Sequence, residues 1–157
     1  MLSSVMDIQF NDFLMAVEPQ HQNFVKEINE KLITCGYKIK IENKATGYYV
    51  SYSHPKTKRS LFSFFFRKKG MKVRFYPKKV NIEILNNLPN TMKTELAGAM
   101  PCKRLINPND CNPKCVMGYD FILDGKRYQK CRHNCFEFFV TTESMPVIIE
   151  LIAGELV

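Results

Sequence analysis

The stretch at residues 61–76, LFSFFFRKKGMKVRFY, decides the predicted fold of this 157-residue chain. Its first six residues are strongly apolar, which is typical of a central strand covered on both faces. Residues 68–70 (KKG) form a turn signal, and apolar residues at 71, 73 and 75 then alternate with others. Since alternation with a period of two indicates a half-buried strand, the stretch predicts two antiparallel strands joined by a tight turn.

The residues before this stretch extend the predicted sheet. Tyr37, Ile39 and Ile41 alternate with lysines, and a second alternating run follows at 48–53. A turn is expected at 44–47, where the pattern is interrupted by small and polar residues. Residues 37–76 therefore predict a four-stranded antiparallel meander.

Helical patterns flank the meander on both sides. The expected elements are two helices within 7–35, a helix over 77–89, a short helix over 90–100, a strand over 136–140 and a C-terminal helix after Thr142 or Ser144. Pro19 is expected to separate the first two helices, because proline suits the first turn of a new helix. Asn90 or Thr91 is expected to cap the short helix.

These elements predict an α+β fold in a single domain that spans residues 1–157. We expect an antiparallel sheet of five to six strands, with helices mainly on one face and a cysteine-rich β-hairpin within 102–135. A chain of this length ordinarily forms one domain, and it is long enough to bury a sizeable core.

Five of the six cysteines lie within residues 102–135, here called the cysteine segment. Two C-x3-C pairs flank a predicted hairpin in it, and the Asp-Gly pair at 124–125 favours a type I′ turn, because both residues tolerate positive φ. Centring the turn there places Gly118 opposite Cys131. The two dithiol pairs are then expected to converge at one end of the hairpin.

Two short chelating loops that β structure brings together are typical of a structural zinc site, which takes four ligands in a tetrahedron. Basic residues outnumber acidic ones in the cysteine segment, and nearby cations lower the pKa of thiols. The sequence therefore predicts zinc, with the ligands Cys111, Cys115, Cys131 and Cys135, and with Cys102 and His133 in reserve.

Other states of these cysteines stay open. An iron–sulfur cluster also accepts four thiolates, disulfides require an oxidising compartment, and free cysteines can pack as small hydrophobic residues. Arg132 and His133 lie beside Cys131 and Cys135, an arrangement that can activate a thiolate. A thiol redox protein is therefore a further alternative.

The formal net charge of +8 is concentrated in residues 37–79, which hold 13 Lys and Arg residues against a single acid, Glu42. Such a distribution favours an anionic partner, either nucleic acid or an acidic protein. Basic residues interleaved with aromatic ones are typical of single-stranded nucleic-acid binding, whereas a sheet with one wet face and protective edge lysines has the same pattern. The candidate nucleic-acid-binding residues are Lys38, Lys40, Lys72, Arg74 and Tyr76.

Catalytic and targeting motifs are not evident in the sequence. There is no nucleophile elbow, phosphate-cradling glycine loop or H-E-x-x-H motif, so we expect no enzyme. Residues 1–10 have no basic start and no long apolar run, and no apolar run approaches the 18 residues of a membrane span. We therefore expect a cytoplasmic, non-enzymatic binding module with no membrane partner.

The order of elements, with LFSFFFRKKGMKVRFYP at 61–77, resembles that of small uncharacterised bacterial α+β proteins of the YdhG-like type. The block MGYDFILDGKRYQKCRHNCF at 117–136 also resembles proteins without an assigned function. YdhG-like proteins are sometimes compared with frataxin-type iron carriers, a comparison that implies an acidic metal-binding face. The acidic residues near the N-terminus are sparse, so no functional residue is carried over from this resemblance.

Overall fold

The computed structural model describes residues 2–156, and their side chains from residue 5 onward. The helices are α1 Leu2–Ala16, α2 Pro19–Thr34, α3 Ile82–Asn86, α4 Asn90–Ala97, α5 Lys103–Ile106 and α6 Ser144–Leu156. The strands are β1 Lys38–Lys44, β2 Gly47–Ser53, β3 Ser60–Arg67, β4 Gly70–Phe75, β5 Tyr119–Leu123, β6 Lys126–Lys130 and β7 Glu137–Phe139.

Five strands form an antiparallel sheet in the order β1-β2-β3-β4-β7, and β5 and β6 form a separate two-stranded sheet. In the first sheet Ile41 pairs with Val50, and Val50 pairs with Phe64. The predicted α+β class and the four-stranded meander are therefore confirmed. The predicted strand over 136–140 is present as the shorter β7 and supplies the fifth strand.

The chain divides into two compact units. The first contains Met1–Val73 and Phe139–Thr141, and the second contains Arg74–Phe138 and Thr142–Val157. Strands β4 and β7 each supply residues to both units. The expectation of one domain is not decided by this division and stays a prediction.

Aromatic packing stabilises the first unit. Phe64 in β3 is fully buried, and its ring centroid lies 5.8 Å from that of Phe13 in α1 and 6.2 Å from that of Phe24 in α2. The rings of Phe62 and Tyr52 also pack against Phe64. The two helices are thus fixed on one face of the meander by side chains that the period-two pattern directs to that face.

A second aromatic cluster lies within the second unit. Phe136, which precedes β7, packs against Phe75, Tyr119 and Phe121. The hydroxyl of Tyr119 donates a hydrogen bond to the carbonyl oxygen of Pro77 at 2.8 Å. The hairpin that carries Tyr119 and Phe121 is therefore anchored on the core of this unit.

Two helix boundaries differ from the prediction. The helix expected from Pro77 begins only at Ile82. The carbonyl of Pro77 accepts from Tyr119, and the amide of Lys78 donates to Glu155, so this backbone is engaged outside a helix. The side chain of Asn81 instead caps α3, a role that asparagine favours.

The short helix α4 also differs from the prediction. It begins at Asn90 after Pro89 and ends at Ala97, three residues before the expected end. Pro89, rather than Asn90 or Thr91, occupies the N-cap position and makes no side-chain cap. The hydroxyl of Thr91 instead donates to Glu143, so its capping group is used elsewhere.

We expect Phe64→Ala to lower the free energy of unfolding by about 3–5 kcal/mol, because it removes a buried ring and leaves a cavity among its neighbours. Chemical denaturation measures this change. Lys68→Ala, at an exposed position in the β3–β4 turn, should alter stability by no more than about 0.5 kcal/mol. Equal effects of the two substitutions would contradict the packing described for the first unit.

Candidate metal centre

The hairpin within the cysteine segment has two five-residue strands, β5 and β6. Phe121 pairs with Tyr128, and Leu123 pairs with Lys126, which is the register that follows from centring the turn at 124–125. Asp124 and Gly125 have φ angles of 52° and 77°, as a type I′ turn requires. No cysteine lies within the two strands, so the cysteine side chains come from the segments that flank them.

A short antiparallel bridge adds residues 100–102 to the outer edge of β6. Pro101 pairs with Lys130, the amide of Cys131 donates to the carbonyl of Met100 at 2.7 Å, and the amide of Cys102 donates to the carbonyl of Gln129 at 2.8 Å. In such pairing, alternate residues point to the same face. Cys102 and Cys131 are therefore diagonal neighbours on one face, with Cα atoms about 7–8 Å apart.

Gly118 lies against this bridge. Its amide donates to Cys102 Sγ at 3.4 Å. A Cβ atom at this position would lie 2.1 Å from the carbonyl oxygen of Lys130 and 3.0 Å from Cys102 Cβ. Only glycine leaves room for this close approach. The predicted hairpin register places Gly118 opposite Cys131, but no pattern in the sequence indicates its contact with Cys102.

A β-turn forms the first C-x3-C pair. The amide of Cys115 donates to the carbonyl of Asn112 at 3.0 Å, and the Asn112 side chain accepts from the amide of Lys114 at 2.9 Å. Pro113 occupies the second position, which suits its fixed φ. Cys111 has a φ of 72°, a left-handed conformation that is uncommon for a residue with a Cβ atom.

Arg104 connects this turn to the bridge. It lies in α5, two residues after Cys102, and its guanidinium donates a hydrogen bond to the backbone carbonyl of Cys115. Residues 103–106 form a single helical turn, so Cys102 and Cys115 are joined by a short and partly rigid connection.

The thiol of Cys115 has three other cysteines in its electrostatic environment. Burial raises its pKa, and the nearby Cys111, Cys131 and Cys102 raise the pKa further, in that order. A thiolate at one of these positions disfavours a thiolate at the next, because like charges repel. Cys115 is therefore within electrostatic range of the other three thiols, here called the cluster around Cys115, and a cation beside it would stabilise its deprotonated state.

Cys135 has a different environment. It is fully buried, and its amide donates to the carbonyl of Cys131 at 2.9 Å. Burial raises the pKa of its thiol well above the ordinary range, opposed by the neighbouring Lys130. Cys135 is thus a neighbour of Cys131 within the core of the second unit.

The remaining candidates are separate from the cluster around Cys115. His133 is exposed, and its ring packs edge-on against Tyr76 at a centroid distance of 6.2 Å. Cys35 is exposed and follows α2 in the first unit. Neither residue has a described contact with the thiols of the cysteine segment.

The four thiols do not stand in ligating positions. Among residues 2–156, no three His, Cys, Asp or Glu side chains are arranged so that they could hold a metal ion without rearrangement. The thiol of Cys115 donates instead to the carbonyl of Val116 at 3.3 Å. The predicted ligand set Cys111, Cys115, Cys131 and Cys135 therefore stays a prediction.

The predicted basic sheet face is largely occupied by local interactions. The ammonium groups of Lys40 and Lys44 pair with Glu42, and that of Lys72 lies 4.6 Å from the Phe139 ring centroid. Lys38 is exposed on β1, an outer strand that β2 and β3 separate from β4.

The other two residues of that predicted face also have partners. The Arg74 guanidinium binds Glu137 through two nitrogens, at 2.6 and 3.1 Å, and Tyr76 packs against His133. Further exposed cations lie in the turns of the meander: Lys56, Lys58, Arg59, Lys68 and Lys69. Their turn positions are the signal that identifies them in the sequence.

Comparison with known proteins adds no further constraint: the chain matches no protein-family model, no curated protein and no solved structure. The resemblance to YdhG-like proteins stays a prediction. Within residues 2–156, every helix falls short of the length or apolar character that crossing a bilayer requires.

We expect Gly118→Ala to destabilise the second unit, because its methyl group would overlap the carbonyl oxygen of Lys130. Overpacking of this kind typically costs about 1–3 kcal/mol, which thermal or chemical unfolding can measure. The matched control is Gly98→Ala, since a Cβ atom there meets nothing closer than 3.4 Å. A Gly118→Ala protein as stable as the control would contradict the close approach at the bridge.

Proposed function

We propose that this protein is a non-catalytic metal-binding module in which the thiols of the cysteine segment bind one zinc ion. The observation that carries the proposal is the bridge between Pro101 and Lys130, which holds Cys102 and Cys131 on one face. Arg104 ties Cys115 to the same region. Thiols supplied by separate short segments are typical of structural zinc sites.

Charge in the segment also supports a thiolate-bound cation. A four-thiolate zinc centre carries a net charge of −2, and the basic side chains of the segment can offset it. These are Lys103, Arg104, Lys114, Lys126, Arg127, Lys130 and Arg132. The Arg104 contact with the backbone of Cys115 places one of them beside the cluster.

Zinc binding requires a local rearrangement of the exposed part of the segment. Zinc–sulfur bonds of about 2.3 Å place tetrahedral sulfurs roughly 3.8 Å apart, so the thiol of Cys115 must turn away from Val116. Residues 107–114 are exposed, and moving them disturbs little buried surface. Zinc would then order these residues, and part of its binding energy would appear as stability of the second unit.

We expect the reduced, purified full chain to contain about one zinc per molecule. Cys131→Ser should lose the metal and unfold at a lower temperature, because one ligand of a closed site is removed. Elemental analysis and thermal unfolding, each before and after a chelator, measure both effects. Cys35→Ser is the control and should match the wild type.

Three results would contradict the proposed zinc site. Equal metal content in the wild type and Cys131→Ser would show that the metal is not bound by this thiol. Visible absorption with bound iron would indicate an iron–sulfur centre. A metal-free protein that reversibly forms one disulfide would favour the redox alternative.

Nucleic-acid binding is a second candidate, supported by cations and aromatic rings near one end of the meander. Arg67 lies 4.5 Å from the ring centroid of Phe65, and Lys44 lies 4.5 Å from that of Tyr49. The turn at 68–69 is fully basic and exposed. Turns one and three of an antiparallel meander share an end, so these cations lie on the same side of the first unit.

We expect binding of the full chain to single-stranded oligonucleotides to weaken with salt, in proportion to the number of phosphate contacts. Replacing Lys68 and Lys69 with Glu should reduce the log–log salt slope by about 2. The matched control replaces Lys26 and Lys31 of α2 with Glu, which changes the net charge equally. Fluorescence anisotropy at several salt concentrations measures the slope, and absence of binding at low ionic strength would remove this candidate.

A further inference from the structure

We infer that Cys102, rather than Cys135, completes the metal site, so that the ligands are Cys102, Cys111, Cys115 and Cys131. This inference rests on the proposed zinc function and specifies the ligand set of that site. The spacing is then C-x8-C-x3-C-x15-C, with one C-x3-C pair and two single cysteines.

Cys102 and Cys131 have a fixed position relative to each other. Backbone hydrogen bonds on both sides of the Pro101–Lys130 bridge hold the two residues. The Lys130 ammonium also donates to the carbonyls of Ala97 and Ala99, at 2.8 and 2.9 Å. These contacts fix two ligands on one face before any metal binds, which lowers the ordering cost of binding.

The environment of the Cys102 sulfur suits a metal-bound thiolate. It is 8% exposed and already accepts a hydrogen bond from the amide of Gly118. Metal-bound thiolates are oriented and stabilised by such outer-shell donors. The absence of a side chain at Gly118 leaves room both for the Lys130 carbonyl oxygen and for Cys102, so the amide can reach the sulfur.

The other two proposed ligands, Cys111 and Cys115, belong to one turn. Cys111 is exposed and its backbone has a left-handed conformation. Strained backbone of this kind is concentrated at functional sites. The turn at 112–115 sets Cys111 beside Cys115, and Arg104 holds that turn near Cys102. Because residues 107–114 are exposed, this turn can shift toward the fixed pair with little loss of packing.

The two competing ligands, Cys135 and His133, are held in contacts that metal binding would break. Cys135 is fully buried beside Phe136, which is itself 2% exposed. Bringing its sulfur to the exposed turn would require unpacking the core around Phe136. His133 packs on Tyr76 at the surface, and ligation would break that contact.

Cobalt(II) substitution of the reduced full chain tests the ligand set, because the sulfur-to-cobalt charge-transfer intensity follows the number of cobalt–thiolate bonds. We expect Cys102→Ala to lose about a quarter of this intensity, since one of four bonds is removed. Its affinity for cobalt should fall roughly 100-fold or more. Cys135→Ala should keep the full intensity and affinity, although it loses core packing, and Cys35→Ala is the unchanged control.

Cys102→His keeps the test decisive if the Cys102→Ala protein does not fold. Histidine is a cobalt and zinc ligand, so this variant should regain tight binding and a tetrahedral visible spectrum while its charge-transfer band stays weaker than that of the wild type. Circular dichroism of each variant reports folding separately from metal binding.

The possible outcomes separate the two proposals. Loss of a cobalt–thiolate bond in Cys135→Ala, with or without loss in Cys102→Ala, overturns the ligand set and leaves the zinc function standing. A wild-type chain without any thiolate–cobalt band overturns the zinc function itself, and the ligand set with it. Loss in Cys102→Ala alone, with recovery in Cys102→His, supports the inference.

Discussion

The antiparallel pairing of residues 100–102 with residues 129–131 is the constraint on which the cysteine segment depends. Two backbone hydrogen bonds, at 2.7 and 2.8 Å, make this pairing, and Gly118 on the neighbouring segment has no side chain that would prevent it. The ammonium of Lys130 donates hydrogen bonds to two carbonyls at the end of α4, which a residue without this donor could not do. Helix ends leave such groups without partners inside the helix, so one side chain joins a helix end to the hairpin edge.

The two compact units are stabilised in different ways. The first has long strands and a dense aromatic cluster around Phe64, and burial of such rings is the main favourable term in folding. The second has shorter elements, and side chains often complete its backbone hydrogen bonds. Tyr119, Asn134 and Glu155 each bond to backbone that belongs to no strand or helix. A unit of that kind gains more from an additional cross-link than a unit with a large core does.

Local patterns made much of this fold predictable, whereas contacts between distant residues did not. The alternation in β1 to β4 and the Asp-Gly turn depend on neighbouring residues, and both were predicted correctly. The bridge at Pro101 has no strand pattern and pairs with residues about 30 positions later, so no window of sequence indicates it. Residues 77–81 have a helical pattern in the sequence but form no helix, because their backbone makes hydrogen bonds to Tyr119 and Glu155. These partners are distant in sequence, so the pattern does not indicate them. The sequence places Lys72 and Arg74 on one sheet face, but it does not show that Phe139 and Glu137 lie beside them.

The first unit is discontinuous along the chain, and this affects how it forms during synthesis. Its last members, Phe139–Thr141, follow Val73 only after about 65 residues of the second unit. The amide of Val140 donates to the carbonyl of Met71, and the ammonium of Lys72 lies over the ring of Phe139. At the usual elongation rate of about 5–20 residues per second, the ribosome needs several seconds to supply them. Until then the edge of β4 has no partner from β7, so nascent chains carry an open strand edge that can pair with a neighbour.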